Sequence, residues 1–229
     1  MSRCLRILDL GARPYREALE LQRELCRARA AGEAAEDLLL LVEHEPVVTL
    51  GRATRAASLP LAPAELERRG LSVFEVERGG DVTYHGPGQL VGYPILDLRE
   101  HRMDLHWYLR TLEDALITAL GVLGIEASRN PGLTGVWTAG RKIASIGIHV
   151  KQWVTLHGFA LNVSTDLSRF DLVVPCGIQN VVMTSVAEEL LRADHAALAQ
   201  ETRKAVVDGM QAGFGYGTVV WEPEAALQG

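Results

Sequence analysis

The sequence predicts an α+β fold in which a mixed β-sheet packs with helices, and three observations predict it. Apolar runs of strand length recur along the chain, at residues 38–42, 72–76, 90–96, 142–150 and 155–163. Segments with helical spacing are interspersed among them at irregular intervals. Strand candidates follow one another without a helix between residues 136 and 163, which a strict βαβ succession would not allow. With 229 residues the chain can bury a substantial core, and no repeat, low-complexity segment or linker divides it, so residues 1–229 are read as a single domain.

Residues 14–31 carry the first helical pattern. Tyr15, Ala18, Leu19, Leu25 and Cys26 share one face, with Pro14 at the start and Gly32 just past the end. That spacing assigns Cys26 to the core. The run 38–42 reads as a strand buried on both faces, and 47–50 begins the next. Residues 53–63 read as a loop, 64–69 as a short helix closed by Gly70, and 72–76 as a strand. A glycine-punctuated block, 78–89, then leads into strand 90–96. Asp104 is placed to cap a helix in which Leu105, Tyr108, Leu109, Leu112, Leu116, Leu120 and Leu123 follow helical spacing, and Gly124 closes it. After a Gly/Pro turn at 130–135 come strands at 136–138, 142–150, 155–163 and 170–174. Ser185 with Glu188 matches a capping box, and Asp194 opens a final alanine-rich helix to about residue 210.

Composition narrows the function. A net charge of −6 does not suggest a nucleic-acid binder. No apolar stretch reaches membrane-span length, and the N-terminus lacks the continuous apolar region of a signal peptide, so a cytoplasmic location is expected. Three cysteines without paired spacing give no disulfide framework, and neither they nor the seven histidines show metal-ligand spacing. No metal and no cofactor are expected.

Two residues stand out chemically. Cys176 lies in Pro175-Cys176-Gly177 after an apolar run, and the flanking Pro and Gly present it from a strand end or tight loop, where functional groups concentrate. The alternative is a small buried hydrophobe. Lys142 is one of only three lysines among 23 basic residues. A chain that otherwise uses arginine has little structural need for lysine, and a titratable amine is what arginine cannot provide. Period-two alternation places Lys142 with Ala144, Ile146, Ile148 and Val150, where lost hydration prepares an amine for proton transfer; a surface lysine at a strand start is the alternative. His85, between Tyr84 and Gly86-Pro87-Gly88, is placed to orient a substrate or hydrogen-bond a nearby carbonyl. The glycine pairs fit neither dinucleotide nor P-loop patterns.

Four ordered motifs, the block from Arg78 to Gln89, the strand from Arg141 to Gly147, the stretch from His157 to Asn162, and Pro175-Cys-Gly-Ile178, together resemble the lipoyl(octanoyl) transferases. The resemblance implies an acyltransferase with the fold of biotin and lipoate protein ligase catalytic domains. It implies octanoyl-acyl carrier protein as donor, and as acceptors the lipoyl domains of 2-oxo-acid dehydrogenase complexes and the glycine-cleavage H protein. It implies Cys176 as the acylated residue and Lys142 as its dyad partner. Arg78, Gly79, Gly80, Asp81, Val82, Thr83, Tyr84 and His85, with Ser145, Ile146, Gly147, Gly158, Phe159 and Ala160, are implied to line the acyl site. An ammonium beside Cys176 favours the thiolate, the nucleophile that attacks a thioester. Backbone amides near Gly177, with Gly147 or Gly158, are candidates for the oxyanion site. The same residues leave open an ATP-dependent ligase, a cysteine-dependent amidotransferase acting between proteins, a thioesterase pairing Cys176 with His85 or His157, and a non-catalytic carrier-binding scaffold. Arg141, Lys151 and Arg169 are candidates for docking an acidic carrier protein.

Overall fold

The computed structural model describes residues 3–177 and 181–222, the side chain of Cys176 excepted. In chain order its elements are β1 (Cys4–Ala12), α1 (Tyr15–Ala31), β2 (Asp37–Glu43), β3 (Val47–Leu50), α2 (Pro63–Arg68), β4 (Ser72–Glu75), β5 (Val82–His85), β6 (Gln89–Ile95), α3 (Leu105–Val122), β7 (Ser128–Asn130), β8 (Leu133–Thr138), β9 (Arg141–Lys151), β10 (Val154–Asn162), α4 (Val186–Leu190), α5 (His195–Phe214) and β11 (Thr218–Glu222). Short 3-10 turns occupy Ala56–Ser58, Leu167–Leu172 and Pro175–Gly177.

Eight strands form a large mixed sheet in the order β11-β1-β2-β6-β10-β9-β8-β7, and β4-β3-β5 form a second, smaller sheet. β1 runs parallel to both its neighbours, while the other pairs of the large sheet are antiparallel. Alternation sorts the side chains between two layers. Leu5, Ile7, Leu39, Leu41, Phe159 and Leu161 join one core with residues of α3 and α5. Leu8, Leu10, Leu38, Leu40, Val42 and Val91 join another with Ala18 and Cys26 of α1. Because both faces are covered, the apolar run Leu38 to Val42 of β2 is buried throughout, as its unbroken pattern requires.

The small sheet sits over the start of α1. Val47 packs with Tyr15, Leu19 and Val76, and on its other side Val48, Val82 and Tyr84 pack with Leu66, Phe170 and Val173. Helix ends follow local chemistry. Asp104 Oδ1 accepts from the amides of His106 and Trp107 at 2.9 and 3.0 Å, and Gly32 closes α1 in the left-handed conformation. Ser185 Oγ accepts from the Glu188 amide at 3.3 Å and starts α4.

Two local expectations fail. Residues 170–174 are not a strand, because Asp166 Oδ1 accepts from the Ser168 amide at 3.1 Å and starts a 3-10 turn that drops Phe170 onto the Tyr84 ring. Asp194 makes no side-chain cap for α5, since its carboxylate takes the guanidinium of Arg192 instead. Among the described residues no helix is long and apolar enough to cross a membrane.

Candidate active site

Between the small sheet and the α1-facing side of the large sheet lies a small cavity lined by residues of both. Its roof is Arg78, Gly80 and Asp81 from the loop before β5 and Thr83 and His85 of β5 itself. Its floor comes from three adjacent strands: Val91 and Tyr93 of β6, His157 to Ala160 of β10, and Ser145 to Gly147 of β9. Tyr15 of α1 completes the wall. The roof loop rests directly on β9. The Gly79 amide donates to the Ile148 carbonyl at 2.8 Å, and a Cβ on Gly147 would stand 2.9 Å from the Gly79 carbonyl oxygen, closer than a side chain tolerates. Arg78 is a buried clamp, donating through Nε and Nη2 to Thr49 Oγ1 at 3.2 and 2.9 Å and through Nη2 to the Thr49 carbonyl at 2.6 Å.

Most of the residues singled out in the sequence converge on this cavity. Gly79, Val82 and Tyr84 do not line it: alternation along β5 turns Val82 and Tyr84 into the core beneath the small sheet, and Gly79 ties the loop to β9. Four lining residues were not legible as such. Tyr15 reads as part of the inward face of α1, Val91 and Tyr93 only as members of a strand, and His157 only as the start of a motif and a partner in the thioesterase alternative; it holds a left-handed φ of +57° inside a strand, strain that sequence does not signal. That geometry lets the His157 amide donate to Gln22 Oε1 of α1 at 2.9 Å.

The state of His85 follows from a directional chain. Asn162 Nδ2 donates to the Thr184 carbonyl at 3.0 Å, so Asn162 Oδ1 is the acceptor for Gln89 Nε2 at 3.0 Å. Gln89 Nε2 also faces the Tyr84 carbonyl, which leaves Gln89 Oε1 to accept from His85 Nδ1 at 2.7 Å. His85 therefore carries its proton on Nδ1 and keeps Nε2 as an acceptor. Burial, then the neighbouring His44, push its pKa down to about 3, so it is neutral near pH 7. A neutral imidazole of this tautomer accepts a hydrogen bond at Nε2 and cannot donate one to a carbonyl there. Burial likewise lowers the pKa of His157 and of His44, whose Nε2 meets the Tyr93 hydroxyl at 2.8 Å.

The turn Pro175–Gly177 packs against the roof. The Val174 amide donates to the Ser58 carbonyl at 2.9 Å, Ser58 Oγ donates to Asp81 Oδ2 at 2.6 Å, and a Cβ on Gly177 would collide with that carboxylate. The Gly177 amide is taken by the Val174 carbonyl at 3.0 Å, which removes it from the oxyanion candidates. The side chain of Cys176 and residue Ile178 lie outside the described residues.

Lys142 stands three residues before Ser145 on β9, outside the cavity lining, and is 1% exposed. Its Nζ lies 5.5 Å from the centre of the Trp137 ring on β8. Beyond the end of β10 its backbone is bridged to the segment that follows the cysteine turn: the Lys142 amide donates to the Val182 carbonyl at 2.8 Å and the Thr184 amide to the Lys142 carbonyl at 3.0 Å. The expected alternation holds farther along β9, where Ala144, Ile146, Ile148 and Val150 face the α3–α5 core. Near Lys142 it breaks, because Ile143 joins that core too and β8 carries a register shift between Val136 and Trp137.

Of the docking candidates, Arg141 pairs with Glu189 at 2.9 Å and Arg169 with Asp166 at 3.4 Å, while Lys151 is exposed at the far end of β9. Among the described residues no group of three or more His, Cys, Asp or Glu side chains could hold a metal ion.

The family model of the lipoyl protein ligase A/B catalytic domain matches residues 14–210. The chain belongs to that family. Among relatives, a protein of Solibacter usitatus named octanoyltransferase is 56% identical over 184 residues, covering 80% of this chain and 82% of its own. One of the same name from Geobacter sulfurreducens is 48% identical over 224 residues, covering 98% and 90%. At this level of kinship the chain is an acyltransferase, a lipoyl(octanoyl) transferase by family. In fold it is similar to the bi-partite lipoate protein ligase of Thermoplasma acidophilum, with a TM-score of 0.70 at 18% identity over 97% of this chain and 86% of that one. It is also similar to a lipoate-protein ligase A solved with ATP, with a TM-score of 0.67 at 17% identity over 97% and 88%.

Proposed function

We propose that this acyltransferase moves an octanoyl group from octanoyl-acyl carrier protein to the ε-amine of a lysine on lipoyl-domain proteins, with Cys176 carrying the chain as a thioester and Lys142 as its partner. One observation carries the reading: the turn that holds Cys176 packs on the cavity roof at Asp81, and Met183, seven residues on, is bridged to Lys142 at the start of β9, one of the three strands of the cavity floor. The other thiols are poor rivals. Burial pushes the Cys26 thiol up, and burial with the nearby Glu36 carboxylate does the same at Cys4.

In the first half-reaction the Cys176 thiolate, favoured by the Lys142 ammonium, attacks the thioester carbonyl. The tetrahedral intermediate collapses with loss of the carrier thiolate, which takes up a proton. In the second, a neutral lysine amine of the acceptor attacks the octanoyl-cysteine, the Cys176 thiolate leaves, and the nitrogen gives up a proton to complete the amide. One thioester replaces another in the first half, so it is near balance, and the more stable amide draws the reaction forward without ATP. Arg78, Gly80, Asp81, Thr83 and His85, with Ser145 to Gly147 and Gly158 to Ala160, line the acyl site on this reading, with His85 as a neutral acceptor in the roof. The lipoyl domains of 2-oxo-acid dehydrogenase complexes and the glycine-cleavage H protein are the acceptors on this reading.

Initial-rate kinetics with octanoyl-acyl carrier protein and a lipoyl domain test it. A covalent relay gives parallel double-reciprocal lines. Intersecting lines, or a requirement for ATP, would contradict it.

A further inference from the structure

Glu113 is a carboxylate with no exposed side-chain surface, on α3, a helix whose other buried residues are almost all apolar. Such a charge is costly unless it is held, and three donors hold it. Arg110 Nη1 and Arg129 Nε reach Oε2 at 2.6 and 2.9 Å, and the third donor is not a side chain: the backbone amide of Gly135 on β8 donates to Oε1 at 3.1 Å.

Gly135 is where the Lys142 side chain crosses β8. A Cβ built there would stand 2.8 Å from Lys142 Cε, 3.4 Å from Nζ and 2.5 Å from the Ala144 carbonyl oxygen, so no other residue fits beside the lysine stem. Its φ of +120° is open only to glycine. The register shift between Val136 and Trp137 follows at once, and it brings the Trp137 ring opposite Lys142. The buried carboxylate, the glycine it anchors and the irregular ladder thus form one unit around a single lysine.

We propose that Gly135, and Glu113 through its bond to the Gly135 amide, are positioning residues that fix the Lys142 amine in its buried place. The inference rests on the reading of Lys142 as partner of Cys176 for its bearing on catalysis, but the placement can be measured without that reading.

The chain supplies its own internal standard, because its only other lysines are Lys151 and Lys204, and Lys204 is exposed. Competitive labelling of the intact protein with an amine-specific acylating reagent, mapped by mass spectrometry, gives the ratio of Lys142 to Lys204 modification. Glu113→Ala is the main variant. Arg110 and Arg129 are 37% and 36% exposed and can turn to water, so the change chiefly frees the Gly135 amide. Gly135→Ala is the sharper second variant, compared only if it unfolds cooperatively. The labelling ratio should rise roughly tenfold in Glu113→Ala, as local opening releases the amine. A purely structural role would lower thermal stability and leave the ratio where it was, and that result would overturn the proposal.

Alkylation of Cys176 against pH separates the two claims. Lys142→Met should raise the thiol midpoint, and Glu113→Ala should raise it part of the way, with no added effect in the double variant. A midpoint indifferent to Lys142→Met would sink the dyad while a raised labelling ratio still upheld the positioning. A midpoint moved by Lys142→Met, with both readouts unmoved in Glu113→Ala, would sink the positioning alone.

Discussion

Acidification should loosen this protein through His85. In the unfolded chain a histidine takes up its proton near pH 6.5, whereas in the fold burial and His44 hold His85 at about 3. Its folded pKa is depressed, so below pH 6.5 the unfolded state binds more protons than the folded one. Stability from this group is complete above pH 6.5 and is lost as the pH falls toward 3. Between pH 7 and pH 5 the loss integrates to roughly 2 kcal/mol for this one residue. His44 and His157, lowered by burial as well, add in the same direction, and Arg78 and His157 also face His85 and oppose its protonation. Equilibrium urea unfolding of the wild type and His85→Gln at pH 7 and pH 5 measures the difference. The variant should be less stable at pH 7, having lost the fitted Gln89 bond, but should lose about 2 kcal/mol less than the wild type on going to pH 5. Equal pH dependence in the two proteins would refute the depressed pKa of His85 and its neutral state at pH 7.

Two further outcomes are specific. Gly209→Ala should destabilise by about 1–3 kcal/mol, read as a lower urea midpoint, because the new methyl group would collide with the Ala115 carbonyl where α5 crosses α3. Lys142→Arg keeps the charge but removes a titratable amine and puts a bulkier head beside Gly135, so turnover should fall steeply; near-normal turnover would mean that charge alone suffices.

Much of this architecture was legible because burial writes itself into periodicity. The apolar run of β2 demanded cover on both faces, and Leu112, Leu116 and Leu120 marked the inward stripe of α3, although Leu105 at its start is exposed. The cap at Asp104 was equally plain. What escaped notice had physical reasons. β1 alternates weakly with polar residues, and β11 is a partly exposed edge strand given shape only by its parallel pairing with β1. Residues 170–174 have strand composition, yet one local bond from Asp166 turned them aside. At the site, the motifs marked the roof and most of the floor, but their contiguous spelling concealed the alternation that sends Val82 and Tyr84 away from the cavity. Glu113 was invisible in sequence. A carboxylate on an amphipathic helix reads as solvent-facing, and only the fold shows it beneath Gly135.

The proposed reaction turns on where the acyl chain is carried. Incubation with octanoyl-acyl carrier protein alone, followed by intact-mass and peptide analysis, should show a single octanoyl adduct on the peptide that contains Cys176, removable by adding a lipoyl domain. An adduct on Cys4 or Cys26, or full transfer activity without any adduct in Cys176→Ala, would contradict it.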